Sequence, residues 1–254
     1  MNYRISKING LSKTGFFSDL VHTILPSVIY LNDNNIDSFH IHWENNLYQS
    51  QSYNLYDFFF KNNKTFDNYD IELNVTNCPY GFFFTEYCSD DKLQRGSEIV
   101  KFLKLDECYV YDKLHPFFNQ NYKILGVQQR QTDHGLHAKL IDDHAYIKIV
   151  DEYFINNNFD YIFLITDSVT SLENFKQYFG DKLIYNTDII RSKTNDAIHF
   201  MESNINDKIK LAEEVLLDAY SLSLTDYKFI CNSNVSTFSL LLNYNPTNYT
   251  YIDK

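Results

Sequence analysis

The segment Leu125-Gly126-Val127-Gln128-Gln129-Arg130-Gln131-Thr132-Asp133 carries more chemistry than any other in this chain. An apolar strand runs into a polar cluster, and an arginine stands at its end. In a protein of alternating strands and helices, ligands bind just beyond the carboxyl ends of the strands. An arginine there offers a fixed positive charge and a planar fork of donors that matches phosphate oxygens. A surface ion pair has the same sequence appearance and contributes little. Two more polar clusters follow apolar strands: Thr166-Asp167-Ser168, and Asn232-Ser233-Asn234-Val235-Ser236 ahead of a helix. Backbone N–H groups at a helix amino terminus, with small hydroxyls around them, form an anion seat. Ser168 and Ser236 also read as plain helix caps. Three such clusters at three strand ends together point to one site, for a phosphate.

Other residues fit around that site. Asp218 lies on the helix before the last strand, where a carboxylate accepts two hydrogen bonds from a purine edge; a solvated helix residue has the same signature. His134, His137 and His144 have no third ligand at a spacing that would make zinc. His137, in a glycine-containing loop beside the arginine, suits a general base near neutral pH. Glu44 is a second candidate base, and His22, His40 and His42 read as structural. Leu11-Ser12-Lys13-Thr14-Gly15-Phe16-Phe17 links a strand to a helix but lacks the glycines of a P-loop.

These residues need strands and helices to place them. Phe17, Leu20, Val21, Ile24, Val28 and Leu31 recur at helical spacing, predicting a helix over Phe16 to Leu31, kinked by Pro26. Strands are expected on either side, at Tyr3 to Ile8 and Ser38 to His42. The stretch from Glu44 to Asn121 is less regular. Tyr53 to Phe60 reads as buried, Ile71 to Val75 as a strand and Gly96 to Leu105 as a helix. Beyond it, strands at Lys123 to Gln128, Tyr161 to Thr166, Leu183 to Tyr185 and Lys228 to Cys231 alternate with helices. Those helices are expected at Ala145 to Phe154, with Tyr146, Ile149, Val150, Tyr153 and Phe154 inward, and at Ser171 to Phe179, capped by Ser171 and ended by Gly180. Two more follow at Lys208 to Leu222 and Thr237 to Leu242. Such alternation makes a parallel sheet with helices on both faces.

The bulk composition sets limits. With 254 residues and 44% hydrophobic content, the chain can build one large domain or two small ones. Its net charge of -11 and the absence of a basic stripe argue against a nucleic-acid partner. The four cysteines have no metal-finger or CxxC spacing. No leader is recognisable in Met1 to Gly10, and no run is long enough for a membrane span, so a cytoplasmic protein is expected.

The second half resembles the GDP-fucose-dependent fucosyltransferase superfamily, which holds α-1,6-fucosyltransferases, nodulation fucosyltransferases and protein O-fucosyltransferases. Gly126 to Asp133 is similar to the superfamily's G-V-H-x-R-R/G-T-D. Ile162 to Ser168 is similar to its apolar strand ending in A-T-D. Glu214 to Ala219, Ser221, Asp226 and Asn232 to Phe238 are similar to its D-x-x-x-L-S-x-x-D stretch and the turn behind it. The likeness covers about residues 121 to 245; the first third matches loosely, through Gly15-Phe16-Phe17 and His42-Trp43-Glu44.

The resemblance implies an α/β, GT-B-like architecture of two Rossmann-like domains with parallel sheets. Residues 1–118 form the acceptor-side domain and 119–254 the nucleotide-sugar-binding domain. It implies an inverting, metal-independent glycosyltransferase with a nucleotide sugar, GDP-fucose, and a glycan acceptor as partners and no cofactor. Arg130 takes the place of the arginine that holds the β-phosphate, and Asp218 that of the carboxylate on guanine. Asn234, Val235 and Ser236 match the phosphate turn, and Gln128 and Asp167 belong to the matching blocks. Gly15 and Phe16 approach the pyrophosphate from the other domain. Gln128 stands where a histidine is usual, and Gln131 where many members have a second basic residue. Those glutamines keep open a nucleotide-sugar- or glycan-binding protein without catalysis. Lys13-Thr14-Gly15 resembles the phosphate loop of PAPS-dependent sulfotransferases and keeps that alternative open.

Overall fold

The computed structural model describes residues 1–7, 15–44, 54–60, 68–80, 83–84, 87–103, 113–114, 116–132, 140–194, 196–198 and 208–253. Lys13, Thr14, Asp133, His134 and His137 lie outside them.

Two parallel sheets organise the chain. The first holds β1 (Tyr3–Lys7), β2 (Phe39–Trp43) and β3 (Ile71–Leu73) in the order β2-β1-β3. The second holds β4 (Ile124–Gln129), β5 (Tyr161–Thr166), β6 (Leu183–Ile184), β7 (Tyr227–Ile230) and β8 (Tyr249–Tyr251). Its order is β6-β5-β4-β7-β8, every pair parallel. The chain therefore reverses direction across the sheet between β4 and β7. At such a switch point, connections leave on opposite sides and open a crevice at the carboxyl ends of the strands. The short β8 was not legible in the sequence.

The helix after β1 comes in three pieces: α1 (Phe16–Asp19), a π turn (Leu20–Ile24) and α2 (Leu25–Asp33). Pro26 has no N–H, and its ring crowds the carbonyl four residues back. The Leu25 N–H reaches the Leu20 carbonyl in a wider turn, so the expected kink is realised as a π bulge. Next come α3 (Tyr56–Phe59) and α4 (Asp90–Val100). α4 starts well before the expected Gly96, with Asp90 and Asp91 favouring its amino terminus electrostatically. Gly96 sits inside it because a Cβ there would come 2.6 Å from both Phe84 and Leu241. The glycine permits close packing and does not mark a boundary.

Four helices clothe the second sheet: α5 (Asp143–Asn156), α6 (Val169–Phe179), α7 (Lys208–Ser223) and α8 (Asn234–Leu242). On one face, Leu125, Val127, Ile162, Leu164 and Phe229 pack with Tyr146, Ile147 and Val150 of α5 and Leu172 and Phe175 of α6. Ile149, expected inward, is 45% exposed, and Ile147 takes the buried place. α6 is capped by Ser168, whose hydroxyl accepts the Ser171 N–H at 3.2 Å, so Ser171 is not the cap.

The opposite face of the second sheet joins a larger core. Phe163, Ile165 and Ile230 cluster there with α7, α8 and residues of the first sheet and its helices, among them Ile5, Leu20 and Trp43. Phe17 meets Phe238 with ring centroids 5.0 Å apart. No helix among the described residues is long and apolar enough to cross a membrane.

Candidate functional site

β4 delivers the central residues. All six of its residues are buried, and side chains alternate between the two faces. Gln128 therefore points toward α8. Its Nε2 donates to Ser233 Oγ at 3.1 Å and its Oε1 accepts from the Ser236 hydroxyl. Gln129 points the other way and donates to the Ile141 carbonyl (3.1 Å) and to Asp143 Oδ1 (2.9 Å). Just past the strand, Gln131 donates to the same two acceptors. Both glutamines that stand in place of basic residues are thus engaged as internal struts.

Arg130 stands between those struts, at the strand end. Its Nε lies 3.7 Å from Asp167 Oδ2, across from it at the end of β5. Asp167 also accepts the Gln131 N–H at 2.9 Å and the Thr132 hydroxyl at 2.6 Å. The aspartate holds the turn that carries the arginine. Ser233 caps α8, accepting the Ser236 N–H at 3.1 Å, so the expected capping there belongs to Ser233 and not to Ser236. Asn234, Val235 and Ser236 form the first turn of α8, whose N–H groups are the positive end of its dipole. His22, on the π turn, lies near Asn234 and Phe84, and burial pushes its imidazole down; the sequence marked it only as structural. Gly15 is the extended residue before α1, and Phe16 is buried against Trp43 and Phe59.

A cleft open to solvent gathers some of these parts, while Gly15, Phe16, Asn234 and Ser236 are not among the residues that line it. Gln128, Arg130, Asp167, Val235 and Asp218 all line it, with Ile189, Ile190 and Leu211 as apolar wall. It lies at the switch point of the second sheet, where the topology puts a crevice. Asp218 reaches it from α7, only 8% exposed. Asn186 donates to Asp218 Oδ1 at 2.7 Å, while Oδ2 accepts no hydrogen bond from a described residue. Burial pushes the Asp218 carboxyl up to about 7, Glu214 one turn earlier adds to that, and Asn186 and Arg191 hold it down. Glu214 lines the same cleft and accepts the Ile190 N–H at 3.0 Å.

Asn186, Arg191 and Glu214 were not singled out from the sequence. Asn186 follows a two-residue strand, and Arg191 lies in a stretch without periodicity, so no pattern flagged them. Elsewhere, His42 Nε2 lies 2.8 Å from Glu44 Oε1 at the end of β2, whereas the base candidate His137 falls outside the described residues. Among the described residues no group of three or more His, Cys, Asp or Glu could hold a metal ion. Cys78, Cys88 and Cys231 are buried, and no disulfide joins them.

No protein-family model and no curated protein matches the sequence. Solved structures do match in three dimensions. A NodZ alpha-1,6-fucosyltransferase soaked with GDP-fucose superposes with a TM-score of 0.60 at 15% identity, over 95% of this chain and 92% of that one. Fucosyltransferase NodZ from Bradyrhizobium gives 0.58 at 15%, over 95% and 93%. A NodZ alpha-1,6-fucosyltransferase co-crystallized with GDP gives 0.58 at 15%, over 95% and 92%. The chain has a GT-B, fucosyltransferase-like fold. The match covers 95% of the chain, so the shared fold takes in the irregular first third as well as the second half.

Proposed function

We propose that this chain is a glycosyltransferase that takes a GDP-sugar and transfers its sugar, fucose, to a glycan acceptor. The observation that carries this reading is that Arg130, braced by Asp167, and the buried carboxylate of Asp218 line one cleft at the switch point of a Rossmann-like sheet. The arginine suits a diphosphate, as does the first turn of α8 beside it. A carboxylate accepts both N1–H and N2–H of guanine. Adenine and cytosine present an acceptor where guanine presents N1–H, and uracil has a single donor, so an ionised Asp218 selects guanine. The neighbouring structures soaked with GDP-fucose or crystallised with GDP support the same choice.

The chemistry follows from that placement. The acceptor oxygen attacks the anomeric carbon from the face opposite the diphosphate, and the bond from that carbon to the phosphate oxygen breaks, inverting the centre. Charge builds on the departing phosphate. Arg130 and the α8 N–H groups meet it there, without a metal ion, already in place before reaction. The acceptor proton passes to a base from the first half, for which Glu44, paired with His42, is the described candidate. Residues 1–118 then serve the acceptor and 119–254 the nucleotide sugar.

A thermal-shift panel of GDP, UDP, CDP and adenosine bisphosphate tests the reading, because the preferred ligand stabilises the fold in proportion to its occupancy. GDP is expected to give the largest shift, and GDP-fucose to be consumed in the presence of an acceptor glycan. Preference for adenosine bisphosphate would favour the sulfotransferase reading. One observation favours a binding protein without catalysis: the Gln128 and Gln131 amides are both occupied internally, so neither brings charge to the phosphate. GDP binding with no turnover or donor hydrolysis would establish that second reading.

A further inference from the structure

The polar groups around Asp218 form a chain that starts outside the cleft. The Arg191 guanidinium, 9% exposed, donates through its two terminal nitrogens to the Asn186 carbonyl at 2.9 Å and the Ile189 carbonyl at 3.1 Å. Its face lies 5.6 Å from the Tyr185 ring centroid. These contacts fold the segment after β6 into a tight turn, with the Ile190 N–H fastened to Glu214 at 3.0 Å. The turn aims the Asn186 amide at Asp218 Oδ1, 2.7 Å away. Asn186 is itself buried, so its amide has little rotational choice. A carboxylate held at one oxygen presents the other in one orientation.

We infer that Asn186, locked by Arg191, is a positioning residue that fixes the Asp218 carboxylate for two-point recognition of a base edge bearing adjacent N–H and NH₂ donors. The inference rests on the guanine-nucleotide reading above and deepens it. The hydrogen bonds place the specificity of the cleft partly in residues that do not touch the base. Charged groups face Asp218 from two elements: Glu214 on its own helix, and Arg191 in the turn after β6. Asn186 and Arg191 both favour the ionised carboxylate, which is the form that accepts two hydrogen bonds.

Inosine diphosphate, which lacks the 2-amino donor of GDP, reads this geometry directly. Calorimetry of GDP and IDP on the full chain, repeated from pH 5.5 to 8.5, compares wild type with Asn186→Ala. The expected result is about a tenfold loss of GDP affinity, roughly one well-made charged hydrogen bond. The GDP-to-IDP ratio should fall toward one, and the midpoint of the pH profile should move upward. Arg191→Met should move that midpoint the same way and carries the test if Asn186→Ala does not fold. An unchanged ratio and an unchanged midpoint in the folded variant would overturn the inference and leave the guanine-nucleotide reading standing. Failure of the wild type to bind either nucleotide would overturn the reading and the inference together.

Discussion

Arg130 and Asp167 come from the ends of adjacent parallel strands and meet with Nε 3.7 Å from Oδ2. Both line the cleft, and the aspartate also takes the Gln131 N–H and the Thr132 hydroxyl. The pair is a braced cation. Removing a preorganised donor from a developing anion costs about 3 kcal/mol or more in the barrier, a factor of a hundred upward. Arg130→Ala is therefore expected to lower kcat for transfer at least about a hundredfold with the melting temperature nearly unchanged. Near-wild-type turnover would remove Arg130 from the mechanism.

Asp167→Asn separates bracing from charge. The amide still offers an oxygen to the Gln131 N–H, but it loses the charge that faces Arg130. Turnover should fall by about tenfold, less than for Arg130→Ala, on the scale of a hydrogen bond to a charged group. Steady-state kinetics of the two variants and the double variant should be non-additive, since both act through one guanidinium.

Asp218 makes pH a probe of the base site. Its carboxyl is pushed up to about 7, mainly by burial. A raised carboxyl means that the folded, unliganded protein binds more protons than the unfolded chain. This group's contribution to stability is therefore complete below about pH 4 and is lost as pH rises through about 7. The proposed guanine recognition uses the ionised form, so GDP affinity should climb from pH 5.5 and level off above about 7.5. Asp218→Asn should flatten that profile and stabilise the unliganded protein at pH 8. Calorimetry and thermal melts across the range give both signs.

Gly126 tests the scaffold. A Cβ there would come 2.7 Å from Leu222 Cδ1 and press on the Thr225 side chain. α7 lies directly on β4 at this point, and Asp226 pins the register by accepting the Ile124 N–H at 2.7 Å. Gly126→Ala should destabilise by about 1–3 kcal/mol, the usual cost of overpacking. Chemical denaturation measures it. An unaltered midpoint would mean that α7 slides easily and that the cleft wall is less fixed than its packing indicates.

β4, β5 and β7 were legible because they are almost wholly buried and end abruptly in polar residues. Continuous apolar runs such as Tyr161 to Thr166 announce parallel strands, and the clusters after them mark the crevice. Arg130 could be named from such a position, whereas Asp218, on a helix, reads equally as a solvated residue and is singled out through the superfamily resemblance. Asn186 and Arg191 could not be named, because their roles come from a turn whose shape is set by contacts and not by periodicity. Gly96 misled in the opposite direction: local propensity marks a helix start, whereas packing against Phe84 and Leu241 makes it an interior position. Part of the familiar-looking motif is scaffold as well. Gly126 and Asp226 hold strands and helices together, and both Gln128 and Gln131 brace their neighbours.

The core that runs from Ile5 through Phe17 and Phe238 to Phe163 has an evolutionary consequence. Modular enzymes change acceptor by exchanging one half against a constant donor-binding half. Here the two sheets share buried side chains, so a foreign first half would have to match the surface of α8 residue by residue. Under the proposed transfer, new acceptors are therefore more accessible through changes in loops around the cleft than through exchange of whole halves, and lineages of this chain should diversify at those loops while Phe17 and Phe238 vary together.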